Sequence, residues 1–388
     1  MHRGCRSAVI PLCMVFVSVA AVLSRPAWGG PVTQAILKCK EAKAAQERGE
    51  TGEAIRLYTE AIELNPKYAE AYFERSRLYR QSGQSDKELE DLTSTLALDK
   101  KHYGALIRRA DVHFYSRRYL DAELDYTVLI KLEPRYWRHH HMRGRARAAQ
   151  GHLKSAIKDF DRAIEASYGA ASPYYERGKA YLRLGNRRRA EKDFERAIKC
   201  DDDHVGAHIE LGKLCLADGK HDKALKFFTT ADRSCDGESG GCLFWRGNAY
   251  KALKKYEPAL ADYTGALERE FDTPQLRYNR AAVCYELGKL ELARDDLKAA
   301  IAKDDANKQY AWALQRVEEA LARKRAAEPA AGHVDATPDD ADAETSTTPE
   351  EEAAEEGGEA EPDDQSGADD DEEEKEEGND DDESADPL

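Results

Sequence analysis

The sequence predicts an all-α fold: a solenoid of about eight stacked helix hairpins, followed by one capping helix. Two observations lead to this fold class. A period of 34 residues runs through the middle of the chain, and within each period apolar residues recur at the three- and four-residue spacings of helices. Because a single hairpin cannot bury its apolar face alone, successive hairpins are expected to stack on one another.

The period appears when eight windows are aligned, with every step 34 residues long except a step of 35 into the seventh window. Position 8 is small in all eight windows, position 20 is Ala in seven, and position 24 is always large and apolar. Small residues at positions 8 and 20 let two helices approach closely, and the residue at position 24 fills the space beside them. The windows begin at Ala35, Ala69, Tyr103, Trp137, Ala171, Val205, Gly240 and Pro274.

Two further features complete the predicted architecture. Six windows have glycine at position 15, where the first helix is expected to end and turn. After Asn307 the run from Tyr310 to Arg325 keeps a helical pattern without starting a ninth window, so residues 308–328 are predicted to form the capping helix.

The eight windows resemble tetratricopeptide repeats, whose pattern asks for a small residue, Ala, an aromatic residue and Ala at positions 8, 20, 24 and 27. The second window departs from this pattern, with Glu88 at position 20 and Thr95 at position 27. The resemblance assigns residues 30–307 to eight repeats in a right-handed solenoid. It also implies a concave groove, lined by the first helix of each unit, that binds peptides or protein segments.

Arginine recurs at position 7 of six windows, and an aspartate follows each of these arginines sixteen residues later. The two windows that lack the arginine also lack the aspartate. Because position 7 points toward the partner helix, we interpret each arginine as forked onto its aspartate within the hairpin, and not as part of a nucleic-acid-binding stripe. The predicted structural pairs are Arg75–Asp91, Arg109–Asp125, Arg143–Asp159, Arg177–Asp193, Arg246–Asp262 and Arg280–Asp296.

The groove positions of units three to six are mostly basic, although Asp111, Glu176 and Glu210 interrupt them. A basic lining attracts an acidic protein or peptide partner over a long range. The alternative is a solvated surface with no dedicated ligand. The predicted partner-binding residues of this group are Arg108, Arg138, His141, Arg145, Lys179, Arg183 and Lys213.

The groove positions of units seven and eight are aromatic residues and asparagines. Asparagine can hold an extended backbone through its donor and acceptor atoms, while aromatic rings flank the bound side chains. Ordinary packing between repeats is the alternative. Repeats that grip a chaperone's C-terminal carboxylate use Lys at position 5, where the seventh unit has Phe, so binding of chaperone tails is disfavoured. The predicted residues are Phe244, Trp245, Asn248, Tyr278, Asn279 and Tyr285.

Catalytic, metal and cofactor chemistry finds no support in the sequence. His139, His140 and His141 are adjacent on a predicted helix, so their rings point in different directions and cannot converge on one ion. No phosphate loop, nucleophile elbow or pair of carboxylates in a cleft-forming context occurs. The sequence therefore predicts a protein that is not an enzyme and holds no metal or cofactor.

Two cysteines, Cys235 and Cys242, flank the glycine-rich connection that contains the one insertion in the array. In an oxidising compartment they are predicted to form a local disulfide. Cys200 and Cys215 could also meet, but buried free thiols are the favoured interpretation for them and for Cys284.

The N-terminal residues 1–29 have the layout of a secretory signal peptide: Arg3 and Arg6, then a mostly apolar run, then small residues. We therefore expect export, most simply to a bacterial periplasm. Secretion, the lumen of a secretory pathway, and anchoring by an uncleaved N-terminal segment are the alternatives. No other segment is apolar enough to span a bilayer, so no stable membrane insertion is expected after cleavage.

The C-terminal residues 329–388 hold 27 acidic residues against Lys375 alone, whereas the preceding part of the chain holds 58 basic and 48 acidic residues. So few large apolar residues occur in this tail that it is predicted to be disordered. It would act as a solubilising segment or would mask the basic groove. Loose binding of Ca²⁺ is a third, less specific interpretation.

Together these features predict a non-enzymatic scaffold that binds a protein segment in its groove. The alternative is an assembly factor or co-chaperone for an exported complex, with the acidic tail masking the groove.

Overall fold

The computed structural model describes residues 30–327, which form seventeen α-helices and no strand, so the all-α prediction is confirmed. The predicted signal peptide and acidic tail lie outside the described residues. The chain divides into two units, 1–329 and 330–388, and the helices of the described residues belong to the first. The helices pair in order along the chain as α1 (Pro31–Glu47) with α2 (Thr51–Leu64), α3 (Ala69–Gln81) with α4 (Ser85–Leu98), α5 (Tyr103–Tyr115) with α6 (Tyr119–Leu132), α7 (Trp137–Ala149) with α8 (Leu153–Ala166), α9 (Ala171–Arg183) with α10 (Arg187–Cys200), α11 (Val205–Ala217) with α12 (His221–Arg233), α13 (Gly240–Ala252) with α14 (Tyr256–Glu268), and α15 (Pro274–Glu286) with α16 (Leu290–Lys303), before α17 (Lys308–Ala327).

The first helices of units two to eight begin at the first residues of the corresponding sequence windows. Helix α1 starts earlier than its window, at Pro31, because proline is well suited to the first turn of a helix. Helix α17 begins at Lys308, 34 residues after Pro274. It therefore occupies the place of the first helix of a ninth unit, which the sequence interpretation did not foresee.

The first helix of each unit ends at position 13, and a residue in the left-handed conformation follows at position 15. Gly49 and Gly185 adopt φ values of 78° and 77° there. Units three and seven have Arg117 and Lys254 at this position, and both residues take the same left-handed conformation, with φ of 60° and 58°. The turn is thus imposed by the packing of the two helices, and glycine adopts it without the steric cost that a side chain adds.

The core of each hairpin is a small residue of the first helix against a large one of the second. At Gly144 an added Cβ would lie only 2.7 Å from a ring carbon of Phe160, and at Gly178 it would lie 2.7 Å from one of Phe194. Both phenylalanines are fully buried. This close contact leaves the other face of the first helix free to line the groove.

Candidate peptide-binding groove

All six arginine–aspartate pairs predicted from the sequence are present. In each pair the arginine Nε and Nη2 donate to the two carboxylate oxygens, at N···O distances between 2.6 and 3.1 Å. The aspartates are buried and the arginines are largely covered. These arginines hold the two helices of a hairpin together and are not available to a ligand.

The arginines also reach the preceding unit, a contact that sequence reasoning missed. In five of the six units the arginine Nη1 donates to an oxygen on the second helix of the unit before it. The contacts are Arg75 to Thr59 at 2.9 Å, Arg143 to Thr127 at 3.3 Å, Arg177 to Asp161 at 2.7 Å, Arg246 to Asp232 at 2.6 Å and Arg280 to Thr264 at 3.3 Å. For four of the five contacts the signal was visible as Thr or Asp at position 25 of the preceding window, whereas Asp232 lies at position 28 of its window.

The basic side chains predicted to bind an acidic partner in units three to six are mostly neutralised by their neighbours. Arg145 and Lys179 lie 3.7 and 3.1 Å from carboxylate oxygens of Glu176. Lys213 lies 2.8 Å from Glu210, and its Nζ also lies 4.7 Å from the centre of the Trp245 ring. The long-range attraction expected of this mostly basic lining is therefore much reduced.

Arg108 has a structural partner that explains the irregular second window. Glu88, which replaces the expected Ala at position 20, is buried and accepts from the Arg108 Nη2 at 2.8 Å. Arg108 thus joins units two and three instead of standing free in the groove. Of the remaining predicted cations, Arg183 donates to the carbonyl oxygen of Ala148 at 2.6 Å, and Arg138 is exposed beside the ring of Trp137.

His141 is not a groove residue, contrary to the prediction. It is buried against Trp137 and Phe160, with ring centres 5.9 Å apart in both cases. Burial, aided by the positive charges of Arg145 and Lys179, lowers the pKa of His141 to about 4, so the ring is neutral at pH 7.

The other two histidines of the run find separate partners. A ring nitrogen of His139 lies 2.9 Å from the Tyr103 hydroxyl, and one of His140 lies 2.9 Å from the carbonyl oxygen of Pro134. Within residues 30–327 no group of His, Cys, Asp or Glu is arranged to hold a metal ion.

In units seven and eight the predicted residues divide into packing residues and groove residues. Phe244 is buried against Trp245, Tyr263 and Phe271, so it fills the core and does not contact a ligand. Asn279 is also buried, at 6% exposure. These two assignments to the groove were wrong because position 5 or 6 of a first helix is covered whenever the neighbouring units pack closely over it.

The asparagines form a polar network at the base of the groove. The Asn248 Oδ1 accepts from the Tyr263 hydroxyl at 2.7 Å and from the Asn279 Nδ2 at 2.8 Å. The Asn279 Oδ1 accepts from the Lys251 Nζ at 2.9 Å. Burial lowers the pKa of Lys251, and no carboxylate of the described residues contacts its ammonium group. The Asn248 Nδ2 has no hydrogen-bond partner within residues 30–327 and can donate to a bound backbone.

Three predicted aromatic residues remain partly exposed along this part of the groove. Trp245 stacks on Phe228 with an interplanar angle of 22°. Tyr278 contacts Tyr310 of α17, with ring centres 5.3 Å apart, and Tyr285 lies beside Arg316 of the same helix. The predicted aromatic lining is therefore present, but it continues onto the capping helix.

A cavity of about 140 Å³ lies between α15 and α17. We call it the terminal slot and define it by Tyr278, Ala282, Tyr285, Glu286, Trp312 and Arg316. Sequence reasoning missed Trp312 and Arg316. Continuing the 34-residue register beyond Asn307 would have found them, since it places Trp312 at position 5 and Arg316 at position 9.

The two cysteines of the predicted disulfide lie close together as free thiols. Cys235 and Cys242 are both free, with their sulfur atoms 3.4 Å apart. Burial raises the pKa of the Cys242 thiol to about 12. The structure thus brings the two residues together but does not join them by a bond. Cys39, Cys200, Cys215 and Cys284 are free as well.

Comparison with protein-family models finds tetratricopeptide repeats at residues 107–173, 175–239 and 246–308 with one model, and at residues 57–90 with a second. The matches of the first model alone span just over half of the chain. This chain belongs to the tetratricopeptide repeat family.

Among curated proteins, human serine/threonine-protein phosphatase 5 is 36% identical over 81 residues, which are 21% of this chain and 16% of the phosphatase. The Hsp70-Hsp90 organizing protein of Triticum aestivum is 33% identical over 82 residues, which are 21% of this chain and 14% of that protein. The chain therefore spans about a sixth of the phosphatase and about a seventh of the organizing protein. These matches extend to the repeat region only.

Among solved structures, the APC/C hetero-tetramer Cut9–Hcn1 superposes with a TM-score of 0.52 at 16% identity, covering 72% of this chain and 55% of the other. This similarity shows the helical repeat fold alone. Within residues 30–327, none of the helices combines the length and apolar character needed to cross a membrane.

Proposed function

We propose that this chain is a non-enzymatic scaffold that binds a protein segment in the concave groove formed by units seven and eight and the capping helix. Membership of the tetratricopeptide repeat family supports binding of a protein or peptide partner. The observation that carries the location is the row of partly exposed aromatic rings, Trp245, Tyr278 and Tyr285, beside the free amide donor of Asn248. Partly exposed aromatic side chains next to unused backbone-binding groups are typical of interaction sites.

The charge of the partner follows from the cations that lack a carboxylate. In units three to six most groove cations are paired, as at Lys179 and Lys213. In the region of units seven and eight and the cap, Lys251 and Arg316 have no carboxylate partner within the described residues. We therefore propose that the partner is a protein segment with acidic residues near the aromatic or apolar side chains that contact the groove. A nucleic acid is not proposed as a partner.

The cellular setting of the proposal rests on sequence alone. The signal-peptide layout of residues 1–29 supports an exported protein, with a periplasm as the simplest compartment. Binding would then occur outside the cytoplasm, between exported proteins.

A photo-cross-linking experiment tests the proposed function. Trp245 is replaced by a photoreactive phenylalanine analogue, the protein is irradiated in its native compartment, and the products are identified by mass spectrometry. The control places the same analogue at Tyr168, which is fully exposed in the loop between α8 and α9. We expect one dominant partner from position 245 that is absent from position 168. Identical products from both positions, or none from either, would contradict groove binding.

An assembly factor or co-chaperone is the second candidate, favoured by the similarity to a protein named for organizing Hsp70 and Hsp90. The structure argues against a carboxylate clamp, because position 5 of the seventh unit is the buried Phe244. The same cross-linking experiment separates the two candidates. A scaffold gives one stoichiometric partner, whereas a chaperone gives many unfolded chains.

Masking of the groove by the acidic tail belongs to this second candidate. It is supported by the 27 acidic residues of 329–388 and is independent of the fold. Deleting these residues should strengthen binding of an acidic peptide several-fold at low salt, because the tail no longer competes with the peptide for the groove. The gain should shrink as salt is added, since the electrostatic attraction is screened beyond about 8 Å at physiological salt. Unchanged affinity after deletion would leave the tail a solubilising role only.

A further inference from the structure

Trp312 is exposed because the stack of first helices ends at α17. At position 5 of the preceding units the side chain is covered by the next first helix. Phe73 packs against Gly104, and Tyr175 packs against Gly206, so closely that an added Cβ would lie 2.8 and 2.9 Å from these rings. No further hairpin follows α17 within the described residues, and Trp312 keeps 57% of its surface exposed. The last groove position therefore presents an exposed indole ring, whereas the side chain at position 5 of the preceding units is buried or partly buried.

The terminal slot beside Trp312 has the size of one benzene ring. Its volume is about 140 Å³, and the buried side chains of Ala281, Leu297 and Val317 also line it. An apolar protein cavity of about 150 Å³ takes up benzene. The slot therefore matches the ring of a phenylalanine side chain.

Arg316 supplies a positive charge at the edge of the slot. Its guanidinium carbon lies 4.9 Å from the centre of the Trp312 ring and 5.7 Å from that of Tyr285. Contacts of this kind restrain the side chain, so it loses little freedom when a ligand binds. Arg323 on the same helix lies 3.8 Å from Glu319, but no carboxylate of residues 30–327 pairs with Arg316. Arg316 is thus free to bind a carboxylate through two parallel hydrogen bonds.

Glu286 restricts how many negative charges the ligand can carry. It lines the same slot, is exposed, and has no cationic partner within the described residues. A second carboxylate close to the slot would be repelled by Glu286, so a continuous acidic run is disfavoured. The charges of the slot favour a ligand with a single acidic residue on the Arg316 side.

We propose that the terminal slot binds a protein segment in which one phenylalanine stands next to one aspartate or glutamate. The ring enters the cavity beside Trp312 and Tyr285, and the neighbouring carboxylate is held by Arg316. This inference rests on the proposed function, since it assigns the anchor of the segment that the groove binds. It adds the chemistry of that anchor and places it on the capping helix.

Calorimetric titration of the full chain with capped synthetic peptides tests the proposal. The probe has one phenylalanine next to one aspartate in a chain of glycine and serine. Matched peptides replace the phenylalanine with alanine or the aspartate with asparagine, and a further peptide has an acidic run without an aromatic residue. We expect the probe to bind, each single replacement to weaken binding about ten-fold, and the acidic run not to compete.

Protein variants locate the binding to the slot. Trp312→Ala and Arg316→Gln should each weaken binding of the probe about ten-fold, because an aromatic or arginine anchor carries most of the affinity of such a contact. Arg323→Gln, on the same helix, and Tyr168→Ala, at another exposed aromatic ring, are the matched controls and should leave the affinity unchanged. All four side chains are exposed, and circular dichroism of each variant verifies the fold.

The outcomes separate the slot from the proposed function. Equal affinity of wild type, Trp312→Ala and Arg316→Gln would overturn the slot, as would tight binding of the acidic run or failure of the probe to bind at all. None of these results touches the proposed function, which the cross-links from position 245 decide. Weaker binding of the probe by Trp312→Ala and Arg316→Gln, with unchanged binding by the two control variants, would support both the slot and the proposed function.

Discussion

Replacing Asp91 with alanine should destabilise the second hairpin more than the same replacement at Asp193 destabilises the fifth. Both aspartates are buried and accept two hydrogen bonds from one arginine. The arginines differ in their third contact. Arg75 donates its Nη1 to a neutral hydroxyl, that of Thr59, whereas Arg177 donates to the carboxylate of Asp161 at 2.7 Å. Arg177 therefore keeps a counter-charge when its aspartate is removed.

The magnitudes follow from what each variant leaves behind. Without Asp91 the guanidinium of Arg75 remains largely buried with no carboxylate, and breaking a buried pair in this way costs about 3 kcal/mol or more of unfolding free energy. Burial raises the pKa of Asp91 even though the hydrogen bonds from Arg75 act to lower it, so solvent is largely excluded from the site. Without Asp193 the guanidinium of Arg177 keeps the carboxylate of Asp161, so part of the penalty for an unpaired buried charge is avoided. The expected difference is about 1 kcal/mol.

Hydrogen exchange is the appropriate assay, because repeat arrays open unit by unit and a global melting curve averages over the units. Amide protection should fall further in α4 of the Asp91→Ala variant than in α10 of the Asp193→Ala variant. Replacing both Arg75 and Asp91 with leucine should restore part of the protection, since no unpaired charge remains. Equal losses in the two single variants, or a larger loss at Asp193, would refute the role assigned to Asp161.

Three further predictions concern groups that the fold perturbs. Burial lowers the pKa of His141 to about 4 from an unfolded value of about 6.5, so the unfolding free energy of the wild type should fall by up to about 3 kcal/mol between pH 6.5 and pH 4. Urea unfolding at each pH should give a flatter dependence of the unfolding free energy on pH for His141→Leu. Parallel dependences for the two proteins would contradict burial of the neutral ring. The hydrogen bonds from Arg277 hold the pKa of Asp272 below its ordinary range, so the ionised carboxylate should stabilise the fold above about pH 4 and this stabilisation should be lost as the pH falls further. Asp272→Asn should therefore lower the unfolding free energy at pH 6 but not at strongly acidic pH. A loss of stability that does not depend on pH would argue against the ion pair. Protein taken from an oxidising compartment should yield a peptide that links Cys235 to Cys242, since the two sulfur atoms are already 3.4 Å apart; alkylation of both residues without prior reduction would show that they stay as thiols.

The parts of the fold that repeat could be predicted from the sequence, and the parts that depend on a single contact between units could not. The period places a small residue against a large one in every hairpin, and every paired arginine and aspartate are sixteen residues apart. Because both patterns recur from window to window, a single sequence was enough to predict them. The pair of Glu88 and Arg108 occurs once and joins two units, so no repetition reveals it. His141 illustrates the same limit, because its burial depends on which side chains surround position 5 of that unit.

The capping helix was recognised as a helix, but its role in the groove was not. Position 8 of a ninth unit would be Gln315, which is not small, so the pattern ends there although the helix register continues. The small residue is needed only where a second helix packs against the first, and no second helix follows α17 within the described residues. The groove positions do not need that partner, and Trp312 and Arg316 therefore keep their places in the lining.

The measurement that tests the account most directly is hydrogen exchange on the full chain with and without the partner captured from position 245. Binding in the concave groove predicts slower exchange in α13, α15 and α17, whose side chains line it, and unchanged exchange in α14 and α16. Protection of α14 and α16 with no change in the first helices would place the partner on the opposite face and contradict the proposed function.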